Sequence, residues 1–191
     1  MVVGARRRAT RRAFFRGAGI TFVASASGFV AACGDDDGAT AAKTGPADVD
    51  VLNSLLDLEH ATIAAYRAGA PLLRGQELDA ARRFLEQEQA HADALVRAIR
   101  QLGGKPIGPK AKYEFPTLSD RTDFLSFARD LENTTIAAYI DSLPKLTERS
   151  LRGTAAAIVT TEAEHVSVIR RALGSSQAPS AFVTGQPSDT P

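Results

Sequence analysis

Apolar positions recur at intervals of three and four residues in four long stretches of the chain, the spacing of one face of a helix. In the first stretch Leu52, Leu55, Glu59, Ile63 and Tyr66 share a face. In the second the stripe is Ala81, Phe84, Glu88, His91, Leu95 and Ile99. Leu125, Ala128, Glu132, Ile136 and Tyr139 form the third, and Leu151, Ala155, Ile158, Glu162, His165, Ile169 and Leu173 the fourth. The spacing predicts helices over residues 49–69, 77–102, 121–143 and 148–173.

The four stretches are two copies of one unit. Asp57 to Tyr66 recurs as Asp130 to Tyr139, with eight of ten residues identical at an offset of 73. Pro71 and Leu73 recur as Pro144 and Leu146, and Glu88-Gln89-Ala90-His91 recurs as Glu162-Ala163-Glu164-His165. Within each copy the connection is short, Pro71 to Gly75 and Pro144 to Thr147, so each copy is an antiparallel helical hairpin. The segment between the copies, Gly103 to Asp120, contains Gly-Gly, three prolines, Tyr113 and Phe115. Eighteen extended residues span up to about 60 Å, and a helix of 26 residues is about 39 Å long. The segment can therefore cross the bundle from end to end. The expected fold is all-α: an antiparallel four-helix bundle of two hairpins joined by one long crossover.

Composition changes this picture little. Apolar residues make up 44% of the 191, with no Trp, so the core is largely aliphatic. The charge of +1 hides an asymmetry. Residues 1–33 hold six arginines and no acid, which leaves 23 − 6 = 17 bases against 22 acids in the remainder. Such a body lacks the clustered basic face of a nucleic-acid binder. Cysteine occurs once, at Cys33, which rules out an intramolecular disulfide and any zinc or iron–sulfur site built on several thiolates.

Residues 1–33 read as a targeting segment rather than as part of the fold. Thr10-Arg11-Arg12-Ala13-Phe14-Phe15-Arg16 resembles the twin-arginine export motif. A weakly hydrophobic run rich in Gly, Ala and Ser follows, Gly17 to Ala32, and at 16 residues it is short for a spanning helix. It ends at Val30-Ala31-Ala32-Cys33, which resembles a lipobox, with the Cys33 thiol as the lipid attachment point. An ordinary signal peptide cut after Ala24-Ser25-Ala26 is the alternative. The expected location is the extracytoplasmic face of the cell membrane. Residues 34–48 read as a solvated tether, 49–173 as the bundle, and 174–191 as a disordered tail.

The anomaly lies in the stripes themselves, where Glu59, Glu88, Glu132 and Glu162 stand at positions that should be aliphatic. A buried unpaired carboxylate costs several kcal/mol or takes up a proton, and four together also repel. Two divalent cations balance four negative charges. A histidine three residues after a glutamate returns to the same face, so Glu88 with His91, and Glu162 with His165, can each grip one metal.

One Glu from each of two helices, with Glu-x-x-His from each of the other two, is the ligand pattern of di-iron and di-manganese carboxylate proteins. Over residues 49–173 the sequence resembles the ferritin-like superfamily, in particular its exported, desiccation-associated-type branch. The resemblance implies that Glu59 and Glu132 are terminal ligands, that Glu88 and Glu162 bridge, and that His91 and His165 each supply a nitrogen. It implies two iron ions, with manganese as the other candidate, and oxygen or peroxide as reaction partners. The alternative is a bundle that keeps these six residues solvated or hydrogen-bonded and binds nothing.

Other polar residues are read more plainly. His60 lies about 100° around the helix from Glu59 and is Asn133 in the second copy, so it is expected at the surface or against the crossover. Tyr66 and Tyr139, two turns beyond Glu59 and Glu132, are expected to pack in the core, with a hydrogen bond to a ligand or a radical role as the alternative. Thr62 and Thr135 are candidate donors to the glutamates one turn earlier, and Glu86 and Glu164 should face solvent. The only Met is Met1, which excludes haem bound through an internal methionine, and a single cysteine excludes a fused rubredoxin module. Three functions stay open: a ferroxidase or peroxide-reducing redox site, an envelope protein that sequesters metal, and a metal-free stress or scaffold bundle. A homo-oligomer is compatible with each.

Overall fold

In the computed structural model residues 46–186 are described. The expected export motif, Cys33 and the tether up to residue 45 lie outside the described residues, as do residues 187–191. Four helices make up the fold: α1 (Pro46–Gly69), α2 (Gly75–Gln101), α3 (Arg121–Ser142) and α4 (Arg149–Ala172), with one 3-10 turn (Ala70–Leu72) after α1. There are no strands among the described residues.

The helix ends have local causes. Helix α1 begins three residues before the apolar stripe suggests, because Pro46 suits a first helical position, where no amide hydrogen is needed. Asp120 caps α3 by accepting from the amides of Thr122 at 2.7 Å and Asp123 at 2.9 Å. Helices α2 and α4 stop at Gly103 and Gly174, both with positive φ. There the amides of Gly104 and Ser175 bond back to the carbonyls of Ile99 and Arg170, each at 2.9 Å. This is the glycine-terminated turn that satisfies otherwise orphaned carbonyls.

Contacts between elements fix the topology. Across α1 and α3, Tyr66 meets Glu132 and Tyr139 meets Glu59, so these helices run antiparallel. Buried Asp48, near the start of α1, accepts from the amide of Thr147 at 3.0 Å and from its hydroxyl at 2.5 Å, which ties α1 to the α3–α4 turn. At the other end Arg121 joins Glu77 of α2 to the Ala172 carbonyl of α4. The crossover runs along α1: Asn53 bonds Lys105 and Ile107, and the Lys110 ammonium donates to Asp57 at 2.6 Å. It reaches α3 through Phe115, which packs 5.4 Å from Phe127.

The core divides around a polar middle layer. One apolar cluster holds Leu52, Leu55, Leu56, Leu95, Ile99 and Leu151. The other, toward the opposite end, holds Tyr66, Leu73, Phe84, Phe124, Leu125 and Ile169. Burial of these side chains stabilises the bundle by about 1.5–3 kcal/mol for each large residue. After α4 the chain is irregular through Gln186, with Gly185 buried against Asn133 and Ala137 of α3.

Candidate metal centre

All four glutamates of the apolar stripes point inward between the two clusters. Glu59, Glu88, Glu132 and Glu162 are each 0% exposed, His165 is 1% and His91 9% exposed. Their atoms interleave. Nδ1 of His91 lies 3.1 Å from Oε1 of Glu162, 3.6 Å from Oε2 of Glu88 and 3.7 Å from Oε2 of Glu59. Nδ1 of His165 lies 3.0 Å from Oε1 of Glu88, 3.1 Å from Oε2 of Glu162 and 3.4 Å from Oε1 of Glu132. Glu88 and Glu162 thus each turn one oxygen toward either histidine. Glu59, Glu88, His91 and Glu162 form one compact group, and Glu88, Glu132, Glu162 and His165 a second. In each group the potential ligand atoms lie within 4.8 Å of one another.

Hydrogen bonding leaves a defined set of atoms unused. The hydroxyl of Tyr139 donates to Oε1 of Glu59, and that of Tyr66 to Oε1 of Glu132. Glu59 and Glu132 therefore each keep one buried oxygen, Oε2, without a partner. Glu88 and Glu162 keep both oxygens unpartnered, and both histidines keep Nδ1. Buried polar atoms are otherwise satisfied in folded proteins, so eight such atoms in one place make a site that suits cations. One free oxygen on each outer glutamate and two on each inner one fit a pair of divalent ions with two shared carboxylates.

The charges respond to this crowding. Burial and the negative charges of its neighbours push Glu59 and Glu132 well above the usual carboxylate range, against the opposing pull of His91 and His165. Burial acts the same way on Glu162, but both histidines outweigh it and hold this carboxyl down at about 2. For the histidines burial favours the neutral ring. The surrounding carboxylates win, raising His91 to about 12 and His165 to about 11. Protons on the two histidines thus offset part of the carboxylate charge. Burial, with Glu132 and Glu59 alongside, keeps Tyr66 and Tyr139 protonated far above the usual phenol range.

The two halves differ in their surroundings. Nε2 of His165 lies 2.9 Å from Oε1 of Gln87 on α2. When the ring is neutral, that contact favours the proton on Nε2 and leaves the Nδ1 lone pair for the interior. The ring of Phe84 lies over His165, with centroids 4.0 Å apart. In the second copy Gln87 becomes Thr161 and Phe84 becomes Ile158, so His91 has neither support.

All six glutamate and histidine positions singled out in the sequence come together here. Tyr66 and Tyr139 do more than pack, since both hold a glutamate of the opposite hairpin. Thr62 and Thr135 are buried but bond back to the carbonyls of Leu58 and Leu131, at 3.1 and 3.2 Å, and not to the glutamates. His60 is half-buried and outside the cluster, and Glu86 and Glu164 are exposed. Gln87 and Phe84 had no signal in the repeat, because neither is duplicated.

A four-helix bundle with a buried carboxylate–histidine layer of this kind defines a class, and the comparisons agree. The ferritin-like domain family matches residues 47–175, and the chain belongs to that family. Among solved structures it is similar to a conserved hypothetical protein from Mycobacterium tuberculosis, at 23% identity and a TM-score of 0.63. That match covers 66% of this chain and 96% of the other. A ferritin-like diiron-carboxylate protein from Bacillus anthracis str. Ames is similar at 24% identity and a TM-score of 0.57, over 65% of this chain and 94% of that one. A dodecameric thioferritin, a bacterioferritin-related protein from Bacteroides fragilis, is similar at 24% identity and a TM-score of 0.58, covering 66% and 83%. No curated protein sequence matches the chain.

Proposed function

We propose that this is an exported, lipid-anchored di-iron protein that reduces dioxygen or peroxide at the expense of Fe(II). The observation that carries the metal reading is the pattern of bare atoms: one oxygen on Glu59 and Glu132, two on Glu88 and Glu162, and Nδ1 on each histidine. Glu59 and His91 would hold one ion, Glu132 and His165 the other, and Glu88 and Glu162 would be shared between them. When bound, a pair of Fe(II) ions supplies two electrons and open coordination positions for reducing an oxygen species.

The chain's own groups suit that chemistry. The hydroxyls of Tyr66 and Tyr139 hold Oε1 of Glu132 and Glu59, which leaves the remaining Oε2 of each free to hold an ion. Phe84 and the apolar clusters on either side keep bulk water from the carboxylates. The slight exposure of His91 offers the way in for small reactants and ions. Export and anchoring rest on the order of Arg11-Arg12, the weakly apolar run and Cys33 in the sequence. No helix among the described residues is long and apolar enough to cross a membrane.

The test is anaerobic loading with Fe(II) followed by air, with oxygen consumption and near-ultraviolet absorbance recorded together. Oxygen uptake in proportion to bound iron, abolished in Glu88→Ala, is the expected result. Tight binding of iron without oxygen or peroxide consumption would leave a sequestering protein instead. Preference for manganese under competition would replace iron as the working metal.

A further inference from the structure

A cavity of about 670 Å³ opens at the end of the bundle where the α1–α2 turn, the start of α3 and the end of α4 meet. Its volume lies within the roughly 300–1,000 Å³ of small-molecule sites. The space exists because small side chains face one another there, Ala80 and Ala81 on α2 against Ala128 on α3 and Ala172 on α4. The deeper wall is Phe84, Phe124, Leu125 and Ile169, all buried. Tyr66 also lines it, but its hydroxyl is engaged by Glu132. The interior therefore offers a guest apolar surface and little else.

The rim is different. Glu77 and Asp79 line it too, and each has a guanidinium neighbour that does not line the cavity. Glu77 pairs with Arg121, and Asp79 lies 3.6 Å from Arg82. Arg83 and Arg171 line the same rim, are exposed, and have no charged or hydrogen-bonding partner among the described residues. Beside them Val168 is 41% exposed, an apolar side chain left at the surface. The rim thus presents two unpaired guanidinium groups above an apolar well.

We propose that this cavity binds a free amphipathic carboxylate, a molecule with an apolar chain or ring and one carboxylate head. The body enters between α2 and α4 and ends against Tyr66 and Phe84, and the head pairs with Arg83 and Arg171. Guanidinium forks match carboxylate geometry with two parallel hydrogen bonds. An alkylammonium is repelled by the same pair. A neutral alcohol gains the apolar burial but not the ion pairs. Since Phe84 also covers His165, a bound molecule ends one side chain away from the carboxylate–histidine layer. The binding claim itself is independent of the metal reading.

The test is calorimetric titration of the full chain, kept in chelator so that metal plays no part, with dodecanoate, dodecanol and dodecylammonium. One dodecanoate per chain is expected, with dodecanol weaker by about tenfold or more and no binding of the ammonium. Arg83→Ala with Arg171→Ala should weaken dodecanoate by about tenfold and leave dodecanol unchanged. Val168→Trp at the rim should weaken both. All three positions are exposed, and thermal melting checks that the variants remain folded. Equal binding of alcohol and carboxylate, an unaffected double variant, several molecules per chain, or no binding at all would each overturn the proposal.

Discussion

The hydroxyl of Tyr66, on the first hairpin, donates a hydrogen bond to Glu132, on the second. Tyr139 returns the same bond in the opposite direction, to Glu59. The duplicated motif Asp-Leu-Glu and its tyrosine seven residues on therefore cross-link the two copies rather than serving each alone. This arrangement fixes which oxygen of each outer glutamate faces the other ligands.

Tyr66→Phe keeps the ring, its edge contacts with Phe84 and Phe124, and loses only the donor. It strands a buried carboxylate oxygen, which costs about 1–3 kcal/mol. Chemical denaturation should show a loss of that size, and Tyr139→Phe a similar one. Wild-type stability in both variants would mean that the hydroxyls satisfy nothing.

Gln87 acts on His165 through Nε2, so its effect should appear in metal affinity. Gln87→Leu should weaken binding at one of two positions by about 10–100-fold, the range for removing a partner of a liganding histidine. Gln89→Leu, which removes only an exposed contact with Asp93 on the same helix, should leave binding unchanged. Equal behaviour of the two variants would remove the positioning role of Gln87.

The pH dependence of stability should change sign with metal. In chelator, Glu59 and Glu132 have raised values, and the histidines stand at about 12 and 11 against an ordinary 6.5. Groups raised on folding contribute stability that is complete below their unfolded values and lost as pH rises. Glu162, held at about 2, contributes above 4.5 and loses its contribution on acidification. The chelated protein should therefore be most stable near pH 4.5, weaken above it as Glu59 and Glu132 lose their contribution, and weaken more steeply above pH 6.5 as the histidines follow. Metal displaces those protons, so the rise in melting temperature on adding Fe(II) should grow from pH 6 to pH 8. A metal effect independent of pH in that range would contradict this proton count.

The architecture was readable because helix-period stripes and the internal repeat are strong signals. The fourth stripe, Leu151 to Leu173, was long enough to fix both the helix and its inner face. The six ligand candidates stood out for the same reason, as glutamates at positions demanding aliphatic residues. Gln87 did not stand out. It reaches His165 across the bundle, and packing between elements 78 residues apart leaves no local pattern. Thr62 and Thr135 misled, because spacing alone does not distinguish a donor to the next glutamate from one bonded to its own helix. The cavity rimmed by Arg83 and Arg171 was likewise invisible, since it arises where small residues of three helices coincide.

The leader predicts a separable behaviour. Cys33→Ala should yield soluble protein outside the cytoplasmic membrane, and Arg11→Lys with Arg12→Lys should retain the chain inside. Fractionation followed by immunodetection reads both. Membrane association that survives Cys33→Ala would remove the lipid anchor and leave the bundle untouched.

The most direct measurement is the metal content of the protein purified from its native compartment, by elemental analysis and intact mass under native conditions. Two ions per chain are expected, removable by chelator with a fall in melting temperature, because a ligand held only by the folded state stabilises it. Glu162→Ala should lose both, since Glu162 faces both histidines. A chain that carries no metal, takes up none when Fe(II) or Mn(II) is supplied, and melts identically in chelator would contradict the account.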